Sequence, residues 1–135
     1  MPESDIRERT FQFSVRVVRL CQSLDSVTGA SRTLANQLLR SGTSIGANVE
    51  EAHGSQSKAD FVAKMYIACK EARETHYWLR LLVATELMPT TKLSPLLNES
   101  NQLVAILTTI KKNRKTNPLP ISLFTIHSSL FSCRA

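Results

Sequence analysis

The sequence has no long apolar run. No segment approaches the roughly 20 consecutive apolar residues of a membrane span, and the amino terminus, MPESDIRERT, is charged where a secretion signal would carry an apolar core. A soluble cytoplasmic protein without membrane contact is expected. Cysteine is scarce as well: Cys21, Cys69 and Cys133 are odd in number and share no CxxC spacing. That argues against a disulfide framework and against a zinc site, and it leaves Cys21 and Cys69 as buried free thiols on helices. At 135 residues with 42% apolar content, the chain is long enough to bury one core and too short for a second domain to be expected.

The net charge is +6, which suggests a polyanionic partner, but its distribution matters more than its sum. Lysine and arginine number six against four acids over residues 1–40, six against seven over 41–110, and five against none over 111–135. Along the chain, the surplus sits at the two ends.

Leu34 to Leu82 organises the rest. His53-Gly54-Ser55-Gln56-Ser57 reads as a tight corner between two long helices. Gly54 can take the left-handed conformation that ends a helix. Ser57, with Asp60 three residues on, is a serine N-cap followed by an acid, a variant of the capping box. In an antiparallel pair closed this tightly, facing residues have numbers that add to roughly 111. That register places Arg40 opposite Glu71, with Glu74 one turn further on, as a structural ion pair that specifies how the helices align.

Four helices are expected. The first spans Asp5 to Leu24, with Ile6, Phe13, Val17, Leu20 and Leu24 on one face and Phe11, Val15 and Val18 nearly opposite. The second stripe suits a subunit interface, or an off-centre neighbour within the chain. The second helix follows a turn at residues 25–29, with Ser31 as candidate N-cap. Its inner stripe is Leu34, Leu38, Ile45, Val49 and Ala52, joined by Ser41 and Asn48, which need polar partners. Gly42 and Gly46, one turn apart, each cost about 1 kcal/mol of helix propensity relative to alanine, so close approach of another helix is their expected use. The third helix runs from Lys58 to about Leu87, with Phe61, Met65, Ala68, Ala72, Leu79 and Val83 on one stripe and Ile67, Glu71, Glu74 and Trp78 on another. Trp78 joins Phe11, Val15 and Val18 as a candidate subunit contact. Pro89 is expected to end this helix, and Ser94-Pro95 to begin a fourth that reaches about Lys115. Residues 1–115 thus form an antiparallel up-down bundle, and 116–135 a tail that is either extended or disordered.

Three sets of residues invite a chemical reading. Glu50 and His53 form a Glu-x-x-His pair, half of a di-iron signature, but the second motif and the two further glutamates are missing, so no metal and no cofactor is expected. Arg73 and His76 resemble the Arg and His of helical ribonucleases at too short a spacing and without a nucleophile; a partly buried, hydrogen-bonded histidine is expected instead. Lys111, Lys112, Arg114 and Lys115 form the strongest charge concentration. A cationic last turn suits the helix dipole on its own, and contact with nucleic-acid phosphates is the functional reading. No aromatic interleaving accompanies it in the sequence, so binding there would be mainly electrostatic.

RSGTSIGANVEEAHG, followed by SKADFVAKMYIACKEARETHYWLRLL, resembles the small four-helix-bundle proteins first noticed as open reading frames in intervening sequences of bacterial large-subunit ribosomal RNA genes. The likeness covers roughly Phe11 to Lys115, and Arg40, Ser44, Asn48, Glu51, Gly54, Glu71 and Glu74 occupy the family's characteristic positions. It implies an antiparallel bundle that assembles as a homo-oligomeric ring, often a pentamer. It also implies kinship with the accessory protein of diversity-generating retroelements, a basic barrel that binds reverse transcriptase and nucleic acid; this chain differs in being basic mainly at its ends. The resulting expectation is a non-enzymatic oligomeric scaffold or adaptor whose partner is RNA or a ribonucleoprotein, with no small-molecule substrate. A protein-binding regulatory module without nucleic acid is the alternative, and a helical ribonuclease or metal enzyme the third.

Overall fold

The computed structural model describes residues 3–24 and 28–116, with side chains described for 5–24 and 28–113. The expected tail lies outside these residues from position 117 on, as does Cys133, while Thr116, expected to begin it, is helical. Four helices follow one another: α1 (Glu3–Gln22), α2 (Ala30–His53), α3 (Lys58–Ala84) and α4 (Thr90–Thr116).

Each helix packs against the next in antiparallel fashion. Between α1 and α2 the contacts run in opposite order, Arg7 to Glu50, Ser14 to Gly42, Cys21 to Ala35. Between α3 and α4 they run from Tyr66 and Lys111 through Cys69 and Thr108 to His76 and Ser100. α1 and α4 close the bundle along its thinnest seam, clamped where Nε and Nη2 of Arg9 both reach Oε1 of Glu99 at 3.0 and 2.8 Å. The described chain is an up-down four-helix bundle.

Apolar periodicity explains the core. Ile6, Phe13 and Val17 of α1, Leu38, Ile45, Val49 and Ala52 of α2, Met65, Ala68, Ala72 and Leu79 of α3, and Leu93, Leu96, Leu103 and Leu107 of α4 are all buried. Leu20, Leu24, Leu34, Phe61, Val83, Leu97, Val104 and Ile110 pack partly buried around them. Cys21 and Cys69 are buried free thiols. Among the described residues no helix is long and apolar enough to cross a membrane.

Helix ends depart from expectation more than helix faces do. At the α2–α3 corner, the Ser57 hydroxyl accepts from the Asp60 amide at 3.1 Å, the expected N-cap. Gly54, however, has φ −90°, not a left-handed value; its amide reaches the Glu50 and Glu51 carbonyls, and the chain leaves the helix through an ordinary bend. α2 starts at Ala30 behind Gly29, which has φ 73°, so Ser31 lies inside the helix instead of capping it. α3 stops at Ala84 rather than Leu87, because Glu86 turns left-handed (φ 55°) and lets Met88 tuck into the end of the bundle. Pro89 begins the next helix instead of ending the last: its carbonyl accepts from the Lys92 amide at 3.0 Å, and α4 starts at Thr90, leaving Pro95 in its second turn. The helical bond that Pro95 cannot donate would go to Thr91, an exposed residue, so water can take its place.

Candidate functional site

Arg40 reaches from α2 across to α3. Its Nη1 donates to Glu71 at 3.4 Å and its Nη2 to Glu74, while Trp78 Nε1 donates to the same Glu74 oxygen at 3.2 Å. The guanidinium is thus forked over two carboxylates one turn apart, not bidentate on one. Half of the Arg40 side chain is exposed (50%), against 20% for Glu71, so this pair sits at the rim of the α2–α3 seam with water screening it. Beneath it the seam is polar and dry: the Thr75 hydroxyl donates to Ser41 Oγ at 2.9 Å, and both side chains are fully buried. Thr75 also lies 2.8 Å from the Glu71 carbonyl. Trp78 packs edge-on against its neighbour Tyr77, 5.0 Å between ring centres, and is partly buried against the core.

On the opposite side of α2, smallness takes over. A Cβ on Gly42 would stand 3.0 Å from both Val17 methyls, and one on Gly46 would stand 3.1 Å from Ser14 Oγ and 3.2 Å from the Thr10 carbonyl oxygen. Asn48 makes no bridge between helices; its Nδ2 donates back to the Ser44 carbonyl and hydroxyl at 2.8 and 3.1 Å.

The two described histidines, His53 and His76, are held structurally. His76 Nδ1 lies 3.0 Å from Ser100 Oγ, and the Ser100 hydroxyl donates its hydrogen to the Leu97 carbonyl. Nδ1 of His76 must therefore carry the proton, and the fully buried Ser100 is spent as a nucleophile. Arg73, the other half of the ribonuclease-like pair, is exposed to solvent and does not share the His76–Ser100 bond. Glu50 bonds Arg7 at 2.7 Å, and His53 Nδ1 lies 2.9 Å from the Val49 carbonyl, which takes the Glu-x-x-His pair apart. His53 Nε2 is buried without a partner near the Phe61 ring. Among the described residues no three potential metal ligands converge.

Two of the features expected from the sequence are open to solvent. Phe11 is 56% exposed and Val18 36%, with Val15 half-buried between them, a strip of apolar surface along α1. At the end of α4, Lys111 Nζ sits 4.5 Å from the centre of the Tyr66 ring, within cation–π range, and Lys112 is exposed. The side chains of Arg114 and Lys115 lie outside the described residues. An aromatic therefore does accompany the basic end. It is contributed by α3, and in the sequence the signal was hidden in the spacing of that helix.

The comparisons agree with this architecture. A crystal structure of a protein of unknown function from the S23 ribosomal protein family of Bacteroides thetaiotaomicron is 39% identical, covers 83% of this chain and 99% of its own, and superposes with a TM-score of 0.75. No curated protein matches. The family described as 23S rRNA-intervening sequence protein matches residues 2–109, and with four-fifths of the sequence inside that match, the chain belongs to this family.

Proposed function

We propose that the protein is a non-enzymatic, homo-oligomeric cytoplasmic scaffold or adaptor, a ring of bundles whose partner is RNA or a ribonucleoprotein. The observation that carries this reading is where the polar groups are spent. His53, His76, Ser41, Thr75 and Ser100, the described groups that could have served catalysis, are bonded inside the bundle, whereas Lys111 near the end of α4 lies beside an exposed tyrosine and Lys112 is exposed. The family's description, tied to ribosomal RNA genes, and the relative's assignment to a ribosomal protein family support the same partner class. The strip at Phe11, Val15 and Val18 is the proposed contact between subunits, because exposed apolar side chains in register along one helix gain most from being covered.

The test joins mass measurement of the purified protein to RNA binding at low salt. Charge reversal of Lys111, Lys112, Arg114 and Lys115 should weaken binding strongly and flatten its salt dependence by up to about 3 in logarithmic slope, roughly 0.7 for each phosphate no longer neutralised. Unchanged affinity removes this cluster as the binding surface. A monomer that stays monomeric whether or not Phe11 is replaced by a charged residue removes the scaffold. A second reading rests on the same exposed Phe11: if the strip captures a different protein with little salt sensitivity and RNA does not bind, the protein is a regulatory binding module.

A further inference from the structure

The stretch KEARETHYWLR intersperses three bases with two acids, so its charge nearly cancels when counted along the chain. The helix sorts it. At about 100° per residue, Tyr66, Lys70, Arg73, Tyr77 and Arg80 fall within an arc of about 80° on α3. All five are exposed, Tyr66 by 47% and Tyr77 by 52%. Glu71 and Glu74 lie outside this arc, Glu74 about 40° beyond its edge at Lys70, and Arg40 holds both from the α2 side. Lys70, Arg73 and Arg80 make no hydrogen bond or ion pair with any described residue, while Glu50, Glu51, Glu71, Glu74 and Glu99 are each paired. The outward face of α3 is therefore a band of cations and aromatic rings with no acid in it. Lys111 extends it onto α4 by lying over Tyr66.

We propose that this face is a binding track for single-stranded nucleic acid, with the phosphates running along Lys70, Arg73, Arg80 and Lys111 and bases stacking on Tyr66 and Tyr77. The inference rests on the RNA-binding reading above and deepens it by naming the strand form and the surface. Stacking platforms interleaved with cations are what sequence-tolerant single-strand binding requires, since every base offers a π-face and every nucleotide a phosphate. The two tyrosines stand eleven residues apart, about 16 Å along the helix axis, so the strand is gripped at two separated points. A duplex keeps its bases stacked on one another and cannot use the rings. Charge also speaks against a second copy of this face as occupant: two such bands would repel each other, whereas an anionic strand is complementary.

The experiment uses the full chain, a labelled oligouridylate of about 15 nucleotides and an RNA duplex of equal length, read by anisotropy between about 50 and 200 mM salt. The native protein should prefer the single strand. Tyr66→Leu with Tyr77→Leu should weaken single-strand binding by about thirtyfold or more and leave duplex binding alone, while Tyr66→Phe with Tyr77→Phe, which keeps both rings, should bind nearly as the native protein does. Replacing Lys70, Arg73 and Arg80 by glutamine should flatten the logarithmic salt slope by about 2. Trp78 touches Tyr77, so its fluorescence should change when the oligouridylate binds and not when the duplex does. Native protein that binds both forms alike, with the leucine variant indistinguishable from it, overturns the track and leaves the wider RNA reading standing on the end of α4. No binding by the native protein at low salt overturns that wider reading as well. A leucine variant that folds but changes the mass of the assembly makes this face a subunit contact and overturns the track.

Discussion

α2 meets α1 and α3 along antiparallel seams built from different materials. Toward α1 it presents glycine, and the backbones close until a single added carbon would touch the Thr10 carbonyl. Toward α3 it presents hydroxyl and guanidinium, and the helices are joined by the Ser41–Thr75 bond under the Arg40 fork. One seam is intolerant of volume and the other of missing polar partners. Substitutions chosen to match each material should therefore have different sizes and different rescue behaviour.

The largest effect belongs to the glycine seam. Gly46→Leu asks a buried position, whose Cβ alone would stand 3.2 Å from a backbone oxygen, to hold four carbons. A side chain could rotate away, but a carbonyl in the middle of α1 moves only if the helix moves. Overpacking of this kind costs about 3 kcal/mol, measurable as a lower urea midpoint. A Gly46→Leu variant within about 0.5 kcal/mol of the native protein would show that the helices do not approach as closely as the geometry requires.

The polar seam should fail differently. Thr75→Val keeps shape and removes the hydroxyl, leaving Ser41 buried without its partner, at about 1 to 2 kcal/mol. Adding Ser41→Ala should then cost little more, because no buried polar group is left unpaired. A double variant as unstable as the sum of the two single ones would contradict this coupling. Arg40→Ala should be milder still, at about 1 kcal/mol or less, because the guanidinium is half in water. Buried pairs commonly lose about 3 to 5 kcal/mol when one partner is removed, so a loss of that size at Arg40 would mean the rim is far drier than its exposure indicates.

How much of this was legible in the sequence depends on what fixed each register. Arg40 could be set against Glu71 because a short corner joins their helices and leaves almost no freedom in how they slide. Arg9 and Glu99 could not be paired in this way: α1 and α4 are neighbours only through two intervening helices, and no turn sets their alignment. The glycines were legible as sites of close approach because helix propensity gives no other reason for two of them one turn apart. Pro95 misled, since proline at a helix start and proline in an exposed second turn look alike until the Thr91 carbonyl is placed near water. The basic band on α3 was invisible to a linear charge count, which cancels Lys70 and Arg73 against Glu71 and Glu74 although Arg40 takes up both acids from the α2 side.

The smallest predicted effect compares the rims of the two seams. On the α1 side the rim is Arg7 with Glu50, at 2.7 Å and about half exposed on both partners (47% and 51%), much as Arg40 is on the other. The hydrogen bond from Arg7 holds the Glu50 carboxyl below its ordinary pKa. The folded value is thus lower than the unfolded one, so the stabilisation is fully present above the ordinary glutamate range, near about pH 4.3, and is lost as pH falls through the depressed value. Lys64 has the opposite sign: its bond to Glu51 raises its pKa, so its contribution is complete below the ordinary lysine range and is lost as pH rises through the raised value. The stability difference between the native protein and Glu50→Gln should be open at neutral pH, close on acidification below about pH 4, and shrink with added salt at any pH. A difference that widens toward acid would reverse the sign of the linkage, and one indifferent to salt would place Arg7 and Glu50 out of water, making this rim unlike the one at Arg40.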